Sequence, residues 1–168
     1  MYYTILEFSS GQIFLAKSDK GLVAAWFLKN KECLSEALKS FEKKRILLEP
    51  DDTQFRLERK LFDRYFKGKK EDFASVPVDL ILGSACQRKV WLEARKIPYG
   101  ETRSYKYLAH KLNHKGYRSI GQAMSKNPLL IIIPCHRVVA SDGSLGGFSA
   151  GIELKRFLLN LEKEGLTA

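Results

Sequence analysis

The sequence LLIIIPCHRVV, residues 129–139, joins five apolar side chains to a proline, a cysteine, a histidine and an arginine. The apolar run predicts a buried strand that carries Cys135 into the interior on a backbone stiffened by Pro134. Thiolates rather than thiols are nucleophiles, and basic neighbours such as His136 and Arg137 lower the pKa of a cysteine. We therefore expect an activated Cys135, while ordinary core packing is the alternative for a cysteine beside isoleucines.

Composition limits the classes of protein that this sequence can represent. The 168 residues are 45% hydrophobic and 29% charged, which suits one core or two small cores that share an interface. The net charge of +10 favours a polyanionic partner such as nucleic acid. No apolar run approaches the roughly 18–20 residues of a membrane span, and the first residues lack the layout of a signal peptide.

The three cysteines are widely spaced, and the sequence contains no Cys-x-x-Cys pair. This spacing argues against a disulfide framework and favours a reducing compartment. A zinc site is not indicated either, because no cysteine or histidine cluster has ligand spacing. We expect a cytoplasmic protein with no metal, no cofactor and no membrane partner.

The first half predicts a small domain with an antiparallel sheet and helices. Three β-rich stretches are separated by turn residues, and two segments with helical periodicity follow. An extended connector at residues 76–82 ends this part, so we place the domains at residues 1–82 and 83–168. The predicted strands lie at 3–8, 12–17 and 22–27, and the helices include Leu34 to Phe41 and Phe55 to Phe66.

The second half predicts a mostly helical domain, so the fold class is α+β. Helices are expected at residues 84–96, 105–112, 117–125 and 152–163. The second and third of these, joined by a Gly-containing link at 113–116, outline a helix-turn-helix in a winged-helix-like arrangement. That outline alone is weak, because short helical hairpins are common.

Glu162 interrupts the apolar stripe of the last predicted helix. It is either a solvated acid near the end of the helix or the partner of a buried group. With Cys135 and His136 it would supply an acid, a nucleophile and a base. Because adjacent residues of an extended chain point to opposite sides, His136 can reach the sulfur only through a turn or a bridging water.

Three motifs in order resemble the O6-alkylguanine-DNA alkyltransferase family. They are PCHRVV at 134–139, SKNP at 125–128 and IPYGE at 97–101, and the match covers residues 83–162. The resemblance implies a direct-reversal DNA repair protein, a methylated-DNA–protein-cysteine S-methyltransferase. Such a protein binds duplex DNA, flips out O6-alkylguanine, and O4-alkylthymine as well, and moves the alkyl group irreversibly to its cysteine. The alternative is a damage-recognition or regulatory DNA-binding protein without this chemistry.

The resemblance also implies residue roles. Cys135 is the alkyl acceptor, His136 and Glu162 form a water-bridged relay, and Asn127 braces the loop before the active-site strand. Tyr105 donates to the guanine and crowds the DNA backbone, and Arg118 fills the space of the flipped base. In the pocket, the carbonyls of Val138 and Cys135 accept from the guanine amino group, the Ser149 amide faces O6, and Ala150 narrows the lip.

The implied partner is double-stranded DNA, bound through the minor groove by a monomer, with cooperative binding left open. The small side chains of the recognition helix allow that close approach. Tyr117 and Gln122 are larger than the residues often found in relatives, which alters how closely the helix enters the groove. The DNA-contacting residues are expected to be Tyr105, Tyr117, Arg118, Ser119, Gly121 and Gln122.

Overall fold

The computed structural model describes residues 1–29, 31–114 and 116–167. Lys115, in the predicted link of the helix-turn-helix, therefore lies outside the described residues. Within the described ranges, no helix combines the length and the hydropathy that crossing a bilayer requires. The same ranges contain no group of three or more His, Cys, Asp or Glu side chains placed to hold a metal ion.

The first half of the chain is a four-stranded sheet with a helix on each face. Turns at 9–10 and 19–20 close the predicted hairpins, and a short fourth strand adds parallel to the first, which makes the sheet mixed. The spatial order is β3-β2-β1-β4. The elements are β1 (Tyr2–Phe8), β2 (Gly11–Ser18), β3 (Gly21–Leu28), α1 (Lys31–Glu42), β4 (Glu49–Pro50) and α2 (Arg56–Phe66).

Strand β2 places apolar side chains on both faces of this sheet, and each face is covered by a helix. Ile13 and Leu15 face the main core, to which α2 contributes, while Phe14 packs in a second cluster with Phe41 of α1. Successive residues of a strand point to opposite faces, so the unbroken apolar run at residues 13–16 requires cover on both.

The second half consists mainly of four helices. A capping box between Ser84 and Gln87 starts the first, and the indole nitrogen of Trp91 donates to the Ala123 carbonyl at 2.8 Å, which ties the first helix to the third. The elements are α3 (Ala85–Ala94), β5 (Arg103–Ser104), α4 (Tyr105–Lys111), α5 (Tyr117–Ser125), β6 (Val138–Val139) and α6 (Ile152–Thr167). The predicted α+β class is confirmed.

One continuous core joins the two halves. It includes Leu6 and Phe62 from the first half and Trp91 and Leu158 from the second. The edge of β3 also pairs with the second half, because the amide and carbonyl of Ala25 bond to the backbone of residues 128 and 130 at 2.8 and 3.0 Å. The domain boundary at residue 82 stays a prediction.

The apolar run before Cys135 is not the predicted strand. Only isolated bridges form at residues 129, 130 and 133, and the Ile133 amide closes a turn on the Leu129 carbonyl at 2.8 Å. Ile131 has a φ of 72°, a left-handed conformation that is strained for a β-branched residue. The run is buried along the edge of β3, which offsets that strain, and a 3-10 turn at Cys135–Arg137 follows.

Candidate active site and DNA interface

Cys135 lies at the floor of a cavity of about 490 Å³ that opens beside α5. The cysteine is 3% exposed, so the sulfur meets the outside only through this cavity. The walls come from α4, α5 and the loop before α6. The lining residues are Tyr105, Tyr117, Arg118, Gly121, Met124, Ser125, Gly147, Phe148 and Ser149.

Asn127 holds the segment that carries the cysteine. Its side-chain amide donates to the Ile133 carbonyl at 2.8 Å and to Cys135 Sγ at 3.1 Å, and its Oδ1 accepts from the Leu129 amide at 2.9 Å. These contacts join the end of α5 to both ends of the buried turn. The bracing role expected for Asn127 has this geometry as its support and stays a prediction.

His136 and Glu162 form a fully buried pair behind Cys135. His136 Nε2 lies 2.7 Å from Glu162 Oε1, and His136 Nδ1 has no hydrogen-bond partner among the described residues. Because a carboxylate only accepts, the proton sits on Nε2 and leaves the Nδ1 lone pair able to take another. Burial lowers the pKa of His136, against the raising effect of Glu162, so this ring is a neutral base.

Glu162 also pairs with Arg137, which the sequence pattern had assigned to the cysteine. Arg137 Nε donates to Oε2 and Nη2 to Oε1, both at 2.9 Å, and Nη1 donates to the Ile97 carbonyl at 2.7 Å. Burial raises the pKa of the Glu162 carboxyl, but hydrogen bonds and charges from His136 and Arg137 outweigh it and lower that pKa to about 2. Glu162 is therefore a permanent anion that orients His136.

The expected lowering of the cysteine pKa is not what the structure shows. Burial raises the pKa of the Cys135 thiol to about 11, although the Asn127 hydrogen bond and the Lys155 charge act in the opposite direction. Arg137 is committed to Glu162, and His136 is neutral, so neither supplies the positive charge that sequence proximity indicated. The resting group is a thiol, which must lose its proton during the reaction.

Lys155 is a buried cation that the sequence analysis missed. Its Nζ donates to the Val138 carbonyl at 2.6 Å and also to the Leu145 carbonyl. Burial lowers its pKa to about 8, while Cys135 raises it. Its spacing could have revealed it: Lys155, Leu158 and Glu162 are the buried residues of α6, at i, i+3 and i+7. Phe157, by contrast, is 41% exposed.

Only part of the predicted substrate pocket lines this cavity. Ser149 does, but Val138 and Ala150, both among the described residues, do not. Val138 is fully buried and its carbonyl already accepts from Lys155, so only the second lone pair of that carbonyl is left. Ala150 lies on a neighbouring cleft between the two halves, because the chain turns away from the cavity after Ser149.

The predicted DNA-contacting residues are gathered on α5 and at the start of α4. Arg118 and Gln122 are exposed, Tyr117 is 59% exposed, and Gly121 leaves room for the Tyr105 ring. Ser119 uses its hydroxyl locally, donating to the Gly116 carbonyl at 2.6 Å. The hydroxyl of Tyr105 donates to the Gly147 carbonyl at 3.4 Å, across the mouth of the cavity.

Positive charge is concentrated in the half that carries this site. Residues 83–168 contain 14 basic and 6 acidic side chains, whereas residues 1–82 contain 15 and 13. The second half therefore holds +8 of the net charge of +10, as expected for a surface that meets phosphates.

Comparison with known proteins gives matches along nearly the whole chain. Residues 85–164 match the 6-O-methylguanine DNA methyltransferase, DNA binding domain, and residues 1–80 match the 6-O-methylguanine DNA methyltransferase, ribonuclease-like domain. The methylated-DNA–protein-cysteine methyltransferase of Methanosarcina barkeri is 41% identical over 99% of both chains. The inducible enzyme of the same name from Bacillus subtilis is 36% identical, over 97% of this chain and 90% of its own.

Comparison with solved structures leads to the same family. The Mycobacterium tuberculosis OGT structure in complex with DNA has a TM-score of 0.82 at 33% identity, covering 98% of this chain and 94% of its own. The O6-methylguanine-DNA methyltransferase of the archaeon Pyrococcus kodakaraensis has a TM-score of 0.72 at 26% identity, covering 96% and 98%. The resemblance drawn from the sequence motifs is confirmed. The chain belongs to the 6-O-methylguanine DNA methyltransferase family.

Proposed function

We propose that this protein repairs alkylated DNA by moving the alkyl group from O6 of guanine to Cys135. The observation that carries this function is the position of Cys135 at the floor of a cavity beside the helix-turn-helix, with the buried His136–Glu162 pair behind it. The family membership and the relatives' names support the same reaction. Cys135 then acts as an acceptor that is consumed.

The chemistry of the transfer follows from the groups around the sulfur. The thiol proton of Cys135 passes to Nδ1 of His136, directly or through a water, and the thiolate attacks the alkyl carbon on guanine O6. The new S–C bond forms as the C–O bond breaks, and the departing guanine takes up a proton. Tyr105 is placed at the cavity wall to donate it, and the proton held by His136 restores the phenol.

The buried Cys135 thiol is proposed to ionise only when a damaged nucleobase occupies the cavity. A thiol with a pKa of about 11 resists adventitious electrophiles, and the neutral His136 accepts its proton only when attack is under way. A thioether is not hydrolysed at neutral pH, so each molecule reacts once. The location that fits this role is the cytoplasm, with access to DNA.

The DNA interface is proposed to be the minor groove. Gly121, which lines the cavity on α5, allows the backbone of this helix to approach the duplex closely, and Arg118 stands at the cavity mouth, whereas Ala123 faces the core. A base must leave the stack to reach Cys135, and unstacking costs a few kcal/mol, least for a poorly paired lesion. O6-alkylguanine and O4-alkylthymine are the proposed substrates, bound by a monomer.

Stoichiometric transfer of a labelled methyl group is the direct test. The protein is incubated with duplex DNA that carries labelled O6-methylguanine, and label on the protein is counted. We expect one label per molecule, none on a Cys135→Ser variant that still binds DNA, and full labelling of a Cys86→Ser control, since Cys86 is exposed and outside the cavity. Binding without transfer by the unmodified protein would instead indicate a damage-recognition protein.

The role of Arg118 is tested by comparing two substrates. An Arg118→Ala variant should repair a duplex lesion at least about tenfold more slowly, because it cannot occupy the space of the flipped base. Its reaction with free O6-benzylguanine, which needs no flipping, should be nearly unchanged. Equal losses on both substrates would rule out the flipping role.

A further inference from the structure

Tyr65 connects the first half of the chain to the reactive centre. It lies on α2, and its hydroxyl donates to Glu162 Oε1 at 2.8 Å, although the two residues are 97 positions apart in the sequence. Both side chains are completely buried. No motif of the sequence analysis pointed to Tyr65, which reads as an ordinary apolar position of α2.

The hydroxyl of Tyr65 shares its acceptor atom with the proposed base. Glu162 Oε1 accepts from His136 Nε2 at 2.7 Å, from Tyr65 at 2.8 Å and from Arg137 Nη2 at 2.9 Å. Oε2 accepts from Arg137 Nε at 2.9 Å and from the Gly100 amide at 3.0 Å. Each additional donor disperses the negative charge that Glu162 offers to His136.

We propose that Tyr65 is a positioning residue of the alkyl-transfer centre, which fixes Glu162 and limits the proton affinity of His136. The proposal rests on the proposed function only in so far as His136 is the base of that reaction. The N-terminal half then contributes to the reactive centre, because Tyr65 of α2 sets the proton affinity of His136 through Glu162.

The surroundings of Tyr65 keep its hydroxyl protonated and therefore able to donate to Glu162. Burial raises the pKa of its phenol well above the ordinary value, and the negative charge of Glu162 raises it further, so the hydroxyl keeps its proton. The ring is held edge-on by Phe66 and Tyr99 at centroid distances of 5.4 and 6.1 Å. The other charged groups that act on the His136–Glu162 pair are Arg137 and Lys155. Burial and the charge of Glu162 raise the pKa of Tyr99, so its phenol keeps its proton and adds no charge.

Removing the hydroxyl should make His136 more basic. In a Tyr65→Phe variant the ring packing is retained, but Oε1 keeps more of its charge for His136. The pKa of His136, which burial holds below its usual value, should rise by about half a unit to one unit. A purely structural role for Tyr65 gives no reason for that shift.

The measurement is an NMR titration of the imidazole of His136 in the full-length protein. The chain has three histidines, and the other two, His110 and His114, are exposed, which makes the buried one identifiable. The matched control is Tyr99→Phe, because the buried Tyr99 hydroxyl has no hydrogen-bond partner among the described residues. We expect a shift for Tyr65→Phe and none for Tyr99→Phe; equal shifts, or no shift in either, overturn the proposal.

Repeating the substitution in a Glu162→Gln protein separates the contact between Tyr65 and Glu162 from indirect effects. In a Glu162→Gln protein the carboxylate charge is absent, so adding Tyr65→Phe should move the His136 titration far less than it does in the unmodified protein. A shift of the same size in both backgrounds would show that Tyr65 acts by another route.

The unmodified protein provides a measurement that needs no variant. Protonation of His136 should move the hydroxyl proton resonance of Tyr65, and a resonance that stays fixed through the titration contradicts the proposal. None of these readouts requires alkyl transfer. A protein that fails to repair DNA can therefore still confirm or overturn the role of Tyr65.

Discussion

Each half of the molecule buries one glutamate completely, Glu58 in the first and Glu162 in the second, and the two differ in their partners. Glu58 Oε1 accepts from Lys17 Nζ at 2.8 Å, and Glu58 Oε2 has no partner among the described residues. The side chain of Lys17 is 24% exposed and also donates to the Gln54 carbonyl at 3.0 Å.

Glu162, in contrast, receives hydrogen bonds from four residues on three separate parts of the chain. Its principal cation, the side chain of Arg137, is only 3% exposed, against 24% for Lys17. A buried ion pair contributes little net stability, but a buried charge left alone is costly. We therefore expect the solvent exposure of the partner cation, rather than burial of the carboxylate, to decide how much stability is lost when the glutamate is replaced.

The largest effect is expected when Glu162 is replaced by a side chain of similar size without charge. Glu162→Met leaves the guanidinium of Arg137 buried and unpaired, and should lower the free energy of unfolding by about 3–5 kcal/mol. Urea denaturation of the variant and the unmodified protein measures the difference. A loss below about 1 kcal/mol would show that Glu162 is no more important to the fold than an exposed acid.

The acid stability of the protein should reflect the same carboxylate. The pKa of Glu162 is about 2 in the folded protein, below its ordinary value of 4.5, so the ionised form stabilises the fold. That stabilisation is complete above about pH 5 and is lost as the pH falls through 4.5 toward 2, an effect of about 3 kcal/mol. Urea denaturation at a series of pH values should show this slope, and Glu162→Met should remove it.

A smaller effect is expected at Lys155, another buried charge. Lys155→Met leaves the carbonyls of Val138 and Leu145 without this donor and should cost about 2 kcal/mol of unfolding free energy. Because the Lys155 charge lowers the pKa of Cys135, the variant should also react more slowly with iodoacetamide at pH 8. An unchanged rate would show that Lys155 supports the fold alone.

The smallest effect is expected at Glu58, with the same substitution as at Glu162. In a Glu58→Met variant Lys17 turns toward water, and an apolar side chain replaces the oxygen that lacks a partner. The free energy of unfolding should change by less than about 1 kcal/mol, in either direction. Thermal and urea denaturation measure it, and a loss as large as that of Glu162→Met would contradict the comparison.

Local patterns predicted much of the second half correctly. Helix α5 begins and ends at Tyr117 and Ser125, as the sequence indicated, because small and apolar residues alternate there with helical spacing. Ser104 belongs to a residue type that favours the N-cap position, and its hydroxyl caps α4 by accepting from the Tyr107 amide at 3.0 Å. Such features depend on neighbours within one turn of helix, which the sequence lists directly.

Features that depend on tertiary contacts were harder to predict. Glu162 was identified as an exception within an apolar stripe, but its partners Tyr65 and Arg137 come from segments that the sequence does not bring together. No local pattern singled out Lys155, because a lysine in a helix usually keeps its charged end in water. The apolar run at 129–133 predicted a strand, yet it is buried along the edge of β3 with isolated bridges alone and forms a turn, with Ile131 in a left-handed conformation.

Two contacts to the Arg137–Glu162 pair come from the main chain of the segment between α3 and β5: the carbonyl of Ile97 and the amide of Gly100. Every residue type has a carbonyl, so no substitution at position 97 removes that acceptor. Position 100 has little such freedom, since its φ is +75° and a side chain there would meet Leu166. Substitution at position 97 therefore keeps this contact as long as the new side chain still packs in the core, whereas position 100 tolerates little besides glycine.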